Sequence, residues 1–458
     1  MKSLLRETSK FKTFRRFIVI GLVLIQILIL AACGKRENTD TSGTPSAAPT
    51  QSAKGDREIT FWLNKYGGDP ALQDAILTEL TNEFYEKTGI RVKYSIIDWD
   101  QSLTKLTLAS TGGECPDVYD IYFTASLLQM GDGKYGPAEI DDVIADLGAD
   151  NYSEAGKSEV YHDGHWYGVP WRADTRILLY NKEYFKEAGI EAPPKNWDEL
   201  MNFADRLTVR DNAGNIERSG LLWNVGNGRF DQTWKCLLEG AGGSILSEDY
   251  TKAAFNSDAG RDTLAMMRRP IDEYNVMPAT CIDPSFDPIA EFMAGKAAMV
   301  LGVGSSVKRN IATMAPQIVD AVGGAVIPSK DGTGNSSVAS AASFALMRGS
   351  KDPEAAKEFL RFLGSTEIMT RWTTTINMLN CNEAVMADPY FSEDEWLSVF
   401  GEQMKLAGPM DQPVASFSQM DAWPNGPLPK LVTDVMAGVD IQTAIEEAEA
   451  GVNKLLSE

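Results

Sequence analysis

The sequence predicts an α/β fold in two lobes. Three observations point to it. The chain has 458 residues, and single cores stop growing beyond about 250–300 residues. Its hydrophobic content of 43% supports well-packed globular units. Strand-like and helix-like stretches alternate β-α-β-α-β where the folded part begins, an order that lays helices against a sheet.

The N-terminal end reads as a processing segment. Lys2, Arg6, Lys10, Lys12, Arg15 and Arg16 form a basic region, followed by the apolar run Phe17 to Leu30. Leu30-Ala31-Ala32-Cys33 resembles a lipobox. It implies a signal peptide over 1–32 and lipidation of Cys33. Two acyl chains on one cysteine give stable anchoring where one chain would not. Residues 33–56 continue as the lipidated cysteine and a tether rich in Ser, Thr, Gly, Pro and Ala.

The folded part starts with the strand-like Ile59-Thr60-Phe61-Trp62-Leu63. Asp69-Pro70 is an N-cap with Pro at N1. Leu72, Ile76, Leu80 and Phe84 then mark a helix ending at Gly89. Ile90, Val92, Tyr94 and Ile96 alternate as a second strand. Leu103, Leu106 and Ala109 suggest a second helix, and Val118 to Tyr122 a third strand.

Asp163-Gly164 is a turn, and Ile177 to Tyr180 is a short apolar strand. Asn181 and Asn196 each start a helix, the second carrying Trp197, Leu200, Phe203, Ala204 and Leu207 on one face. A helix closed by Gly295 leads into a buried strand, Ala298 to Leu301, and Ala325 to Pro328 reads as another strand. After a polar loop from Lys330 to Ser337, Val338 to Met347 runs back towards the first lobe. Asp352-Pro353 starts a helix with Ala356, Phe359, Leu360 and Leu363 buried, and Ile441, Ile445, Ala448, Val452 and Leu455 share a final helical stripe.

The segment from Tyr161 to Leu200 resembles the maltose-binding-protein-like group of bacterial extracellular solute-binding proteins, family 1. The likeness lies in Asp163-Gly164, Tyr167-Gly168-Val169-Pro170, Asp174, Leu178, Tyr180-Asn181-Lys182, Ala188-Gly189 and Trp197-Asp198-Glu199-Leu200. Pro116-Asp117-Val118 and Phe292-Met293-Ala294-Gly295-Lys296-Ala297-Ala298-Met299 match further stretches of that family's pattern. The resemblance implies a type II periplasmic-binding fold, with a ligand cleft between two α/β lobes joined by a hinge. The lobes would be 57–171 plus about 338–380, and 172–337 plus about 381–458. The implied function is capture of a sugar and its delivery to an ABC permease.

Aromatic rings take the apolar faces of sugars, and Asp, Asn and Arg satisfy their hydroxyls. The resemblance places Trp171, Arg172 and Asp174 at the hinge and cleft, Asp174 standing where the family has a ligand-binding carboxylate. Asn64 and Lys65, Tyr122 and Phe123, and Asp421 and Trp423 fall at other positions expected to contact ligand. Trp223, Asn224, Trp234 and Ser305 are the second-lobe candidates. Gly304-Ser305-Ser306 departs from the family, which often has Trp in that loop.

Enzymatic signals are poor. Gly302-Val303-Gly304-Ser305-Ser306 resembles a nucleophile elbow only loosely, and no His follows Ser305 to act as its base. There is no phosphate-binding or dinucleotide fingerprint. The only histidines, His162 and His165, flank a turn without a third ligand of clear spacing, so no metal and no cofactor are expected. Carboxylates are plentiful, which keeps a surface glycan-active enzyme as an alternative. A receptor for a peptide, polyamine or organic anion is the other.

The net charge of −21 argues against nucleic acid as a partner. Removing residues 1–32, with six Lys or Arg and one Glu, makes the balance more acidic still. The expected partners are a sugar, the permease subunits and the membrane through Cys33, for a monomer on a cell surface of Gram-positive type. Cys115, Cys236, Cys281 and Cys381 could pair in three ways or stay free.

Overall fold

The computed structural model describes residues 57–66, 70–225 and 229–458. Cys33, the segments on either side of it, and Asp69 lie outside the described residues.

β1 (Arg57–Asn64), β2 (Ile90–Ile97) and β3 (Val118–Ile121) run parallel. Helices Pro70–Thr88 and Trp99–Gly112 connect them, burying Ile76, Leu80, Phe84 and Leu106. β4 (Tyr161–His162) and β5 (His165–Trp166) form a hairpin across Asp163 and Gly164. The φ angles there are 52° and 88°, both left-handed. A two-residue hairpin turn needs them so, because only that backbone twist matches the strands.

β6 (Val169–Thr175) joins the large sheet, and β7 (Ile177–Asn181) opens a second one. Arg176 alone separates them, so the chain passes between sheets in one residue. A small hairpin, β8 (Val209–Arg210) and β9 (Ile216–Arg218), precedes β10 (Leu222–Trp223), β11 (Met299–Val303) and β12 (Val322–Ala325). β13 (Ser337–Leu346), β14 (Leu379–Asn380) and β15 (Ala407–Pro409) return to the large sheet. Its order is β14-β6-β13-β3-β1-β2 with β15 paired to β13, and the second sheet runs β10-β11-β7-β12. The lobe boundary expected at residue 171 therefore falls inside β6. β15, from the stretch assigned to the second lobe, lies in the large sheet.

The strand read at 325–328 is displaced. β12 ends at Ala325, and its middle is Gly323-Gly324, a pair that weakens any strand pattern in sequence. Gly323 is required where it stands: it faces Tyr180 of β7, and a Cβ there would sit 2.5 Å from the tyrosine Cζ.

The large-sheet core is aromatic. Trp171 stacks on Phe344 at 5.0 Å, and Phe61 meets Phe344 and Phe359 edge-on at 5.4 Å. Each such buried ring stabilises by about 1.5–3 kcal/mol through removal from water. The Asn196 side chain accepts from Glu199 N at 2.9 Å, capping the helix Trp197–Leu207. Asp352 caps Pro353–Gly364 in the same way. Helices Pro427–Met436 and Ile441–Ser457 pack with Asp258–Asp272. Cys115, Cys236, Cys281 and Cys381 are buried free thiols.

Candidate ligand-binding site

Parallel strands β1 and β3 end side by side at Asn64 and Ile121. The carboxyl ends of such strands are where open α/β sheets bind ligands. Asp120 is the buried centre of this edge. Its Oδ2 accepts from Tyr66 OH at 2.6 Å and Asn64 Nδ2 at 3.0 Å, and its Oδ1 from Trp171 Nε1 at 2.9 Å. Burial still raises its pKa, outweighing these donors.

Next to it, the crossing segment carries an ion triad. Arg172 Nη2 and Arg176 Nη1 each donate to Asp174 Oδ2 at 2.6 Å. Burial pushes the Asp174 carboxyl up, but the two guanidiniums outweigh it and keep the group ionised. Arg176 reaches Gln232 Oε1, on the helix Phe230–Gly240, at 3.1 Å. Gly304, in the loop after β11, lies so close that a Cβ there would sit 3.5 Å from Asp174 Oδ1. Several buried atoms here have no protein partner: Asn64 Oδ1, Arg172 Nε, Asp174 Oδ1 and Ser305 Oγ. Native interiors leave few polar groups so.

A second cluster crosses from the helix Phe230–Gly240 to the C-terminal part. Asp421 accepts from Lys235 Nζ at 2.6 Å and Arg229 Nη2 at 3.0 Å, while Arg229 also holds Asp231 at 2.8 Å. Lys235, Asp231 and Asp421 are all buried. Burial alone would lower the Arg229 pKa, but Asp231 and Asp421 more than offset it.

Beside these groups is a cavity of about 380 Å³, lined among others by Phe123, Glu159, Tyr250, Ser340 and Asp411. Glu159 accepts from Thr124 N at 2.9 Å and Thr124 Oγ1 at 3.0 Å. Burial and the proximity of Asp411 push Glu159 up to about 8. Burial raises Asp411 to about 6, though Lys235 opposes the shift. The pair thus retains a proton at neutral pH, as two neighbouring half-buried carboxylates do.

Asn64, Arg172, Asp174 and Ser305 gather around Asp120 and the ion triad, with Tyr122 and Phe123 at the end of β3; of these, Phe123 lines the cavity. Phe123 adopts φ 56°, a strained conformation for a bulky side chain. Lys65 is exposed and lies 3.7 Å from Asp98. Asn224 donates to Gly302 O, within β11, at 2.9 Å. Asp421 is tied into the buried cluster, and Trp423 is 36% exposed. Trp171, Trp223 and Trp234 sit in the core at 0–1% exposure, with no open ring face. Trp171 orients Asp120, and Trp223 Nε1 donates to Met267 O at 2.9 Å.

Sequence reasoning missed Trp99, Arg176, Arg229, Lys235 and the Glu159–Asp411 pair. Arg176 lies within the Tyr161–Leu200 segment and could have been found as the one cation between two strands. The others are joined over long sequence separations that no local pattern announces. His165 also has neighbours that the spacing did not suggest. Its Nδ1 pairs with Asp141 Oδ2 at 2.7 Å, with Glu139 at 3.7 Å, on an exposed surface.

Residues 67–370 match the family described as Bacterial extracellular solute-binding protein. The chain belongs to that family. Among its relatives is the diacetylchitobiose binding protein DasA of Streptomyces coelicolor, 25% identical over 449 residues, covering 96% of this chain and 98% of DasA. The arabinooligosaccharide-binding protein of Bacillus subtilis is 23% identical over 368 residues, covering 77% of each chain. Among solved structures, an ABC transporter solute binding protein from Thermotoga lettingae, bound with alpha-D-tagatose, superposes with TM-score 0.74 at 25% identity. That match covers 87% of this chain and 100% of the other. The sugar-binding protein MalE of Xanthomonas citri shares the fold at TM-score 0.72 and 19% identity, covering 87% of this chain and 97% of its own. This solute-binding protein thus has the type II periplasmic-binding architecture, in a family of binding proteins rather than enzymes.

Proposed function

We propose that this solute-binding protein captures a neutral sugar, mono- or oligosaccharide, between its lobes and delivers it to an ABC permease without turnover. The observation that carries this reading is the set of buried, unpartnered polar atoms on Asn64, Arg172 and Asp174 at the strand ends. Ligand hydroxyls, which donate and accept alike, would satisfy both kinds. Charge supports it too. The cations Arg172, Arg176, Arg229 and Lys235 are matched by Asp174, Asp231, Asp411 and Asp421, so the region asks for no ionic ligand. The ligands named for relatives matched over most of their length include diacetylchitobiose, arabinooligosaccharide and tagatose, which are carbohydrates.

In this reading Asn64, Arg172, Asp174 and Ser305 bind hydroxyls, and Tyr122, Phe123 and Trp423 offer ring surface. The lobes, built on the β14-β6-β13-β3-β1-β2 sheet and the β10-β11-β7-β12 sheet, close by hinge motion at the crossing around Arg176. Ligand favours closure by its extra affinity for the closed state. Cys33 carries the lipid that holds the monomer at a Gram-positive cell surface beside its permease.

The test is a thermal-shift panel of saccharides, peptides, polyamines and organic acids on residues 34–458. A ligand at a hundred times its Kd stabilises by about 2.7 kcal/mol. A melt raised by saccharides alone supports the reading. A melt raised only by another class, or product formed from a bound saccharide, overturns it.

A further inference from the structure

Trp99 stands apart from the core tryptophans. Trp171, Trp223, Trp234 and Trp372 are at most 1% exposed, whereas Trp99 is 40% exposed. It is nevertheless fixed in place. Its Nε1 donates to Lys65 O at 2.8 Å. Its ring meets Tyr66 edge-on at 5.2 Å and leans on Tyr122 at 5.0 Å. The Arg172 guanidinium lies 6.0 Å from its centroid and 5.1 Å from that of Tyr66. The indole therefore offers outward only an apolar π surface, its one polar group being used inward. A fixed ring loses little side-chain freedom on binding.

The position of that surface matters as much as its exposure. Tyr122 is 5.0 Å from Trp99 and 5.0 Å from Phe123, and Phe123 lines the cavity. A row of rings thus runs from the cavity out to Trp99. Beside the row sits Arg172, with its buried Nε unpartnered.

We propose that Trp99 is the platform of an outer subsite for a second sugar ring, so that the preferred ligand has at least two linked rings. The proposal rests on the sugar reading above and adds ligand length to it. One ring occupies the crossing beside Arg172 and Asp174, against Tyr122. The next lays its C–H face on the indole, where it can also meet the Arg172 donor.

The experiment is titration calorimetry of residues 34–458, as wild type, Trp99→Ala and Trp99→Phe. Matched probes are N-acetylglucosamine with diacetylchitobiose, arabinose with arabinotriose, and glucose with maltotriose. The oligomer of one pair should bind wild type more tightly than its monomer. Trp99→Ala should weaken that oligomer about tenfold and leave the monomer within about twofold, with Trp99→Phe retaining most of the affinity. Equal loss for monomer and oligomer, or no loss for the oligomer, overturns the outer subsite. Absence of binding by any saccharide to wild type overturns the sugar reading instead. Should Trp99→Ala fail to fold, fluorescence decides. The oligomer should perturb tryptophan emission more than its monomer in wild type, and that difference should vanish in Trp99→Phe. Its persistence overturns the proposal.

Discussion

Lys235 Nζ donates to Asp421 Oδ1 at 2.6 Å, joining two buried residues 186 positions apart. Breaking one partner of such a pair strands a charge in low dielectric, at a cost of about 3–5 kcal/mol. Lys235→Met should lower the unfolding free energy measured in urea by an amount in that range. The double variant Lys235→Met/Asp421→Leu should recover much of the loss, because neither charge is then left alone. A single variant as stable as wild type would show that the pair is solvated.

The Glu159–Asp411 pair makes stability depend on pH in a definite direction. Glu159 titrates near 4.5 when unfolded and near 8 when folded, so the native state holds its proton more tightly. Its stabilising contribution is complete below about pH 4.5 and is lost as pH rises to about 8. Asp411 acts likewise between its ordinary 3.8 and about 6. The slope is at most about 1.4 kcal/mol per pH unit for each group. Denaturation of wild type at pH 5, 6.5 and 8 should show falling stability, and Glu159→Gln should flatten the fall between pH 6.5 and 8. Identical profiles would contradict the pairing.

Trp171 separates a supporting role from direct contact. Its indole is sealed by Phe344 and Trp372 and hydrogen-bonded to Asp120. Trp171→Phe removes that donor, and leaving a buried acceptor one hydrogen bond short costs about 1–3 kcal/mol. The variant should melt lower yet bind saccharide within about twofold of wild type by calorimetry. A large loss of affinity at unchanged stability would place the indole against the ligand.

Much of the fold was legible because local rules agreed with tertiary packing. Asn181, Asn196 and Asp352 cap helices as their side chains allow, and the alternating Ile90–Ile96 stretch is a strand. β12 escaped notice because Gly323-Gly324 carries no apolar pattern, and Tyr180, which explains it, lies far off in sequence. The site divides in the same way. Arg172 and Asp174 stood inside a motif. The Trp99 platform and the Lys235–Asp421 link arise only when separate strand ends and helices meet. Trp171, Trp223 and Trp234 looked like ligand-facing rings because residue type alone does not distinguish a core aromatic from a cleft one.

On the proposed function, the saccharide binds where Arg172, Asp174 and Arg176 meet, at the crossing between the sheets. The most direct test is calorimetric titration of wild type and Asp174→Asn with whichever saccharide raises the wild-type melt. The substitution keeps the shape but removes the charge that both arginines hold, so affinity should fall by at least about tenfold, or about 1.4 kcal/mol. Unchanged affinity in a folded Asp174→Asn variant would place the ligand elsewhere and contradict the account.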